Sequence, residues 1–201
     1  TMVHPNDHVN MSQSTNDVIP TAGKLTVLRL LPKALLQLQK LQAAMERKAE
    51  EFDDILKMGR TQLQDAVPMR LGQSFHAFSR VLSRDIHRLN RVMEEMKVVN
   101  LGGTAIGTAI NVSPYYLSNV CYQLSTVTGI SFRQAEDLID ATQNLDGFVS
   151  VSNALKTCAV NLSKISNDLR LMSSGPKTGI AEINLPARSE ERRVGKECRS
   201  R

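Results

Sequence analysis

The chain has no tryptophan, and aromatic residues make up 4% of it. That scarcity argues against a β-sandwich or barrel, whose cores lean on aromatic and β-branched residues, and it removes the stacking platform that single-stranded nucleic acid needs. The three cysteines, Cys121, Cys158 and Cys198, show neither metal-ligand spacing nor an even-numbered secreted pattern, so they read as reduced thiols of a cytoplasmic protein. No run approaches the ~18 apolar residues of a membrane span, and no signal peptide is visible. Charge of one sign is also missing once the end of the chain is set aside. The net charge is +5, but Arg188–Arg201 alone holds six Lys/Arg and three Asp/Glu. The remaining 19 basic and 17 acidic residues make an ordinary surface without a basic stripe. The 188–201 tail reads like an in-frame translation of a sequencing adapter. It is expected to be non-native and disordered, with residues 1–187 forming a partial chain; the plain alternative is a natural basic tail.

What is present is leucine, methionine and alanine at helical spacing. Leu28, Leu31, Leu35, Leu38, Met45, Ala49 and Phe52 step by threes and fours, as do Phe75, Phe78, Leu82, Ile86, Leu89, Met93 and Met96. A third stripe, Val151, Leu155, Cys158, Leu162, Ile165, Leu169 and Met172, keeps a heptad rhythm. These stripes predict an all-α long-helix bundle, with helices over about 16–52, 71–100 and 140–172 and a shorter one over 114–128 ended by Gly129. Pro20 is expected in a first turn, placing the helix start near Asn16 or Asp17, and Pro32 is expected to kink or divide that helix.

Three polar loops flank the long helices. Ser12-Gln13-Ser14-Thr15-Asn16-Asp17 precedes the first, and unpaired amides at a helix start favour an anion. The plain alternative is an N-cap, because Ser14-x-x-Asp17 also fits a capping box. Met58–Pro68 reads as an extended loop rich in uncharged hydrogen-bonding residues. Asn100–Thr108 carries three glycines and reads as a loop of close backbone approach, without the lysine of a phosphate loop. A bundle could gather such loops at one end, where Ser14, Thr15, Asn16, Thr61, Gln62 and Thr104 would present neutral donors to a small anionic ligand. His4 and His8 flank another loop, and with Asp7 they could hold an anion or a metal.

At this point the chain resembles the aspartase/class II fumarase superfamily. His4–Asp17, Gly59–Met69, Asn100–Thr108 and Ser166–Pro176 match its signatures in order and kind. Three features resemble the aspartate ammonia-lyase branch more than fumarases: Thr15 where fumarases usually have Ser, Gln62 where they have His, and Val67 where they have Thr. An uncharged Gln can orient a carboxylate but cannot carry a proton at neutral pH. The resemblance implies an L-aspartase-like fold and reversible elimination of ammonia from L-aspartate to give fumarate, with no metal or organic cofactor. It implies that Ser14, Thr15 and Asn16 hold the β-carboxylate and that Thr61 and Gln62 add contacts. It also assigns His4, Asn6 and Asp7 to a secondary anion site. Members are homotetramers whose sites draw on three subunits. The family's serine-base loop is not identifiable after Pro186, so no catalytic residue is assigned and the polypeptide alone is expected to be inactive. A class II fumarase, or another fumarate-forming lyase, is the nearest alternative; a non-catalytic helical oligomerisation scaffold is the alternative of a different kind.

Overall fold

The structure is a computed structural model that describes residues 2–175 and 177–186. The 188–201 tail lies outside the described residues. Three long helices dominate: α1 (Thr15–Glu51), α2 (Leu71–Met96) and, near the end of the chain, α5 (Asp146–Met172). Two shorter helices, α3 (Pro114–Thr128) and α4 (Leu138–Gln143), lie between α2 and α5. Helix α2 is central, packed against α1 on one side and α5 on the other. The apolar stripes supply the seams: Leu28, Leu31, Leu35, Leu38 and Met45 from α1, Phe75, Phe78, Leu82, Leu89 and Met96 from α2, and Val151, Cys158, Ile165 and Met172 from α5. The fold is the all-α bundle that the stripes predict.

Four details differ from the sequence expectation. Helix α1 begins at Thr15, so Pro20 sits in its second turn rather than its first. Helix α1 also runs undivided through Pro32, its long buried stripe holding both sides of the proline against α2. The Met58–Pro68 segment is not an extended loop but part of an antiparallel hairpin, β1 (Leu56–Thr61) with β2 (Gln64–Arg70), irregular between Met58 and Arg60. Finally, the helix expected over 140–172 is two, with Asn144 and Leu145 between them. Asp137 caps α4 by accepting the amides of Ile139 and Asp140, and Ala154 takes the buried place expected for the exposed Leu155.

Connections decide what lies at each end. Helix α2 runs antiparallel to α1, and α5 antiparallel to α2. The start of α5 therefore returns to the start of α1, where a side chain added at Gly23 would meet Phe148. The 100–113 loop, α3 and α4 gather at that end. Two short parallel strands, β3 (Val98–Val99) and β4 (Arg133–Gln134), tie them to α2. The hairpin, the end of α5 and residues 173–175 and 177–186 lie at the other end, where Lys57 contacts Met172.

Candidate functional site

Ser14 caps α1. Its Oγ accepts the amide of Asn16 at 3.2 Å, and Asp17 Oδ1 accepts the amide of Ser14 at 2.9 Å, completing a capping box. The first-turn amides of Asn16, Asp17 and Val18 are thus spent inside the chain. What this end offers a ligand is side-chain chemistry: the hydroxyls of Ser14 and Thr15 and the amide of Asn16. Thr15 and Asn16 are exposed. One amide proton of Asn16 is already committed, Nδ2 donating to the Ala105 carbonyl at 2.6 Å.

The glycine loop is bound tightly to this helix start. Asp17 Oδ2 accepts the amides of Gly102 at 3.1 Å and Thr104 at 3.0 Å. Asn100 Nδ2 donates to the Asn16 carbonyl at 3.0 Å and to Thr142 Oγ1 at 3.0 Å. The first of these bonds follows from Pro20. In a regular helix the residue-20 amide would occupy the residue-16 carbonyl, and proline has no such amide. A liability in the helix thereby becomes an acceptor for the neighbouring loop. Gly107, at φ +86°, lies so close to α4 that a Cβ there would meet the Leu138 carbonyl at 2.5 Å. Tyr116 is raised above its usual phenolic range, chiefly by burial and secondarily by the Asp17 carboxylate and Cys121, so it stays protonated.

Thr61 and Gln62 are not beside these residues. They lie at the hairpin turn, exposed, with Gln62 at φ +52° and Leu63 at φ +62°. Such left-handed backbone is costly for residues other than glycine. Helix α1, with 37 residues at 1.5 Å each, spans about 55 Å. A six-residue strand recovers at most about 20 Å of that. The linking residues 52–55 and the turn could recover roughly 17 Å more, so the two donor sets stay more than roughly 15 Å apart within one chain, and a single copy does not bring them together. His4, Asn6 and Asp7 are exposed on a single turn over Pro5–Val9, where His4 Nδ1 lies 3.1 Å from Asp7 Oδ2 and Asn6 Oδ1 accepts from Asn10 at 3.4 Å. Among the described residues there is no group of three or more His, Cys, Asp or Glu placed to hold a metal ion.

Sequence reasoning missed two elements. Asp17 is visible beforehand only as a capping residue, although a carboxylate has room for more than one donor. Glu182 gave no signal, because its partners are over a hundred residues away. Its side chain is 12% exposed and meets Arg60 Nη1 at 2.6 Å and Lys57 Nζ at 2.9 Å. Burial pushes its carboxyl up, but hydrogen bonds and charge from Lys57 and Arg60 outweigh that and hold it below the usual carboxylate range. Arg60 adjoins Thr61, so this ion pair anchors the base of the donor turn.

Comparison with known proteins adds a second line. A family model described as lyase matches residues 1–190. The chain is 53% identical over 184 residues to the aspartate ammonia-lyase of Bacillus subtilis, covering 92% of this chain and 39% of that protein. Among solved structures it is similar to a fumarate lyase:delta crystallin from Brucella melitensis bound to cobalt, with a TM-score of 0.90, 51% identity, and coverage of 92% of this chain and 40% of that one. It is also similar to a recombinant class II fumarase from Schistosoma mansoni, with a TM-score of 0.89, 34% identity, and coverage of 94% and 43%. The chain thus spans about two fifths of the length of the curated relatives it matches.

Proposed function

Because the chain belongs to the lyase family, we propose that it is part of an aspartate ammonia-lyase, which reversibly eliminates ammonia from L-aspartate to give fumarate. The observation that carries the reading is the chemistry of the two donor sets. Ser14, Thr15 and Asn16 at one loop, and Thr61 and Gln62 at the other, are uncharged hydrogen-bonding side chains, exposed or half-buried, on backbone held firmly from behind. The curated relatives point the same way.

In the reaction a base removes a proton from C3 of the substrate. The electrons pass into the adjacent β-carboxylate, and the C2–N bond then breaks to release ammonia. Negative charge builds on the β-carboxylate before ammonia departs. Fixed donors aimed at that group stabilise the charge as it forms, which lowers the barrier rather than merely tightening binding. Ser14, Thr15 and Asn16 take this role, and Thr61 and Gln62 orient the substrate from the opposite side. Gln62 moves no proton at neutral pH, which suits ammonia elimination better than a hydration step needing a histidine there. We assign no base among the described residues; by resemblance it belongs to a serine loop beyond the matched signatures. His4, Asn6 and Asp7 would form a secondary anion site.

The separation of the two donor sets supports assembly from several copies, as a homotetramer. Each site would join the α1 start of one chain to the hairpin turn of another. Apolar side chains on the outer faces support it too: Leu30 of α1 is 57% exposed and Val160 of α5 61%.

The test uses the full-length enzyme with two variants, Ser14→Ala/Thr15→Ala and Thr61→Ala/Gln62→Ala. Each alone should form fumarate from L-aspartate at least ~100-fold more slowly. Mixed, denatured and refolded together, they should regain activity through sites drawing intact donors from two chains. No recovery would refute shared sites, and turnover of L-malate but not L-aspartate would replace the aspartase reading with a fumarase one.

A further inference from the structure

Asp17 is fully buried, at 0% exposure, yet it lies next to a loop assigned to an anionic ligand. A negative charge there opposes a dicarboxylate, so direct binding does not account for it. Its hydrogen bonds do. One oxygen accepts the Ser14 amide, and the other accepts the Gly102 and Thr104 amides. Three N–H groups from two segments more than eighty residues apart converge on one side chain. An ionised carboxylate satisfies all three because it has only acceptors. Asparagine, of the same shape, would turn an NH2 group against at least one of those amides.

The geometry points to Asp17 as a positioning residue for substrate recognition, one that sets the Ser14–Asn16 donors in register with the glycine loop. This rests on the lyase reading above. The register matters because Asn16 is gripped on both sides, through Nδ2 to Ala105 and through its carbonyl from Asn100. If the loop slides, Asn16 turns with it. Thr104 shows how tightly the loop is held. Its backbone sits at φ +60°, and its Oγ1 is shut off from solvent with no hydrogen-bond partner. Both features are costly, and the two-segment clamp is what keeps them in place.

The test compares wild type, Asp17→Asn and Asp17→Glu in the full-length enzyme. Three quantities are read: kcat and KM for L-aspartate, binding of succinate as an unreactive dicarboxylate, and hydrogen exchange at the Gly102 and Thr104 amides. We expect Asp17→Asn to exchange faster at both amides and to lose kcat by about 10–100-fold, the scale of a small misplacement of catalytic groups. Succinate binding should weaken less than kcat falls. Asp17→Glu, which keeps the charge and two acceptor oxygens on a side chain one methylene longer, should recover part of kcat relative to Asp17→Asn. A merely structural role would lower the melting temperature and leave kcat per active site unchanged; that result, with faster exchange, overturns the proposal. If Asp17→Asn does not fold, Gly102→Ala probes the clamp from the loop side, since φ +94° is strained for any residue with a side chain, and relief of that strain turns the Gly102 amide away from Asp17. Wild-type kcat in a folded Gly102→Ala with faster exchange at Thr104 likewise overturns it. No fumarate from wild type refutes the lyase reading itself, a result distinct from an active wild type matched by an equally active Asp17→Asn.

Discussion

Removing Arg88 should destabilise the bundle more than removing its acidic partner as well. Asp85, on α2, has 0% exposure and sits in the seam with α5. Arg88 donates to its Oδ1, and Asn161 Nδ2 lies 2.9 Å from each of its oxygens. Arg88→Met leaves a buried carboxylate with one neutral partner. Breaking a buried pair this way costs about 3–5 kcal/mol. Arg88 is 40% exposed, so water can approach the vacated position and the lower end applies, about 3 kcal/mol. For a domain of this size each kcal/mol moves the melting temperature by roughly 2–4 °C, so a fall of about 6–12 °C follows. Adding Asp85→Leu should recover most of the loss, because an apolar replacement of a buried pair is often neutral. Urea denaturation of wild type, both single variants and the double variant closes the cycle. Loss below about 1 kcal/mol in Arg88→Met, or no recovery in the double variant, would show that Asp85 is solvated or held elsewhere.

Four further outcomes follow from the same geometry. Glu182→Gln should lower stability by about 2 kcal/mol at pH 7, the scale of hydrogen bonds to charged groups. Because the folded carboxyl titrates below its unfolded value of 4.5, that difference is fully present above pH 4.5 and closes as pH falls through the folded value, as urea midpoints across pH will show. Cys158 and Cys121 should react slowly with a thiol reagent at neutral pH, since burial pushes both thiols up, Cys158 further by Asp85 and against the opposing effect of Arg88; labelling as fast as free cysteine would contradict their packing. Gly107→Ala should cost more than about 2 kcal/mol by thermal melting, combining positive φ with a backbone clash against α4. Replacing Gln62-Leu63 by Asn-Gly should stabilise the hairpin by about 1 kcal/mol while impairing turnover, because the favoured turn residues remove the Gln62 side chain proposed above to orient substrate.

The long helices were legible because burial imposes a period that survives in a single sequence. Leu82, Leu89 and Met96 lie where the three-and-four spacing puts them, and Gly129 ends α3 as expected, at φ +71°. The hairpin was not legible. Met58–Pro68 lacks clean alternation, since most of it is exposed on both faces, and a Gln-Leu turn carries none of the usual glycine or asparagine signal. The break at Asn144-Leu145 was hidden because the stripe behind it begins only at Val151. The chemical character of the donor residues was readable from their types and order. Their separation was not, because spacing along a chain says nothing about which end of a 37-residue helix a loop will occupy. Asp17 and Glu182 were missed in the roles they take because each acts through partners far away in sequence.

Pro20 shows how a propensity table can mislead an engineer. Scored residue by residue, a proline in the second turn of α1 is a defect of about 3 kcal/mol, and Pro20→Ala looks like an improvement. The replacement would bring an amide that competes with Asn100 for the Asn16 carbonyl. The repaired helix would be better satisfied within itself and less attached to its neighbour. Its missing hydrogen bond is what leaves the Asn16 carbonyl free to hold the glycine loop through Asn100. A variant selected for heat resistance at this position would be a more stable rod with a looser grip on the glycine loop.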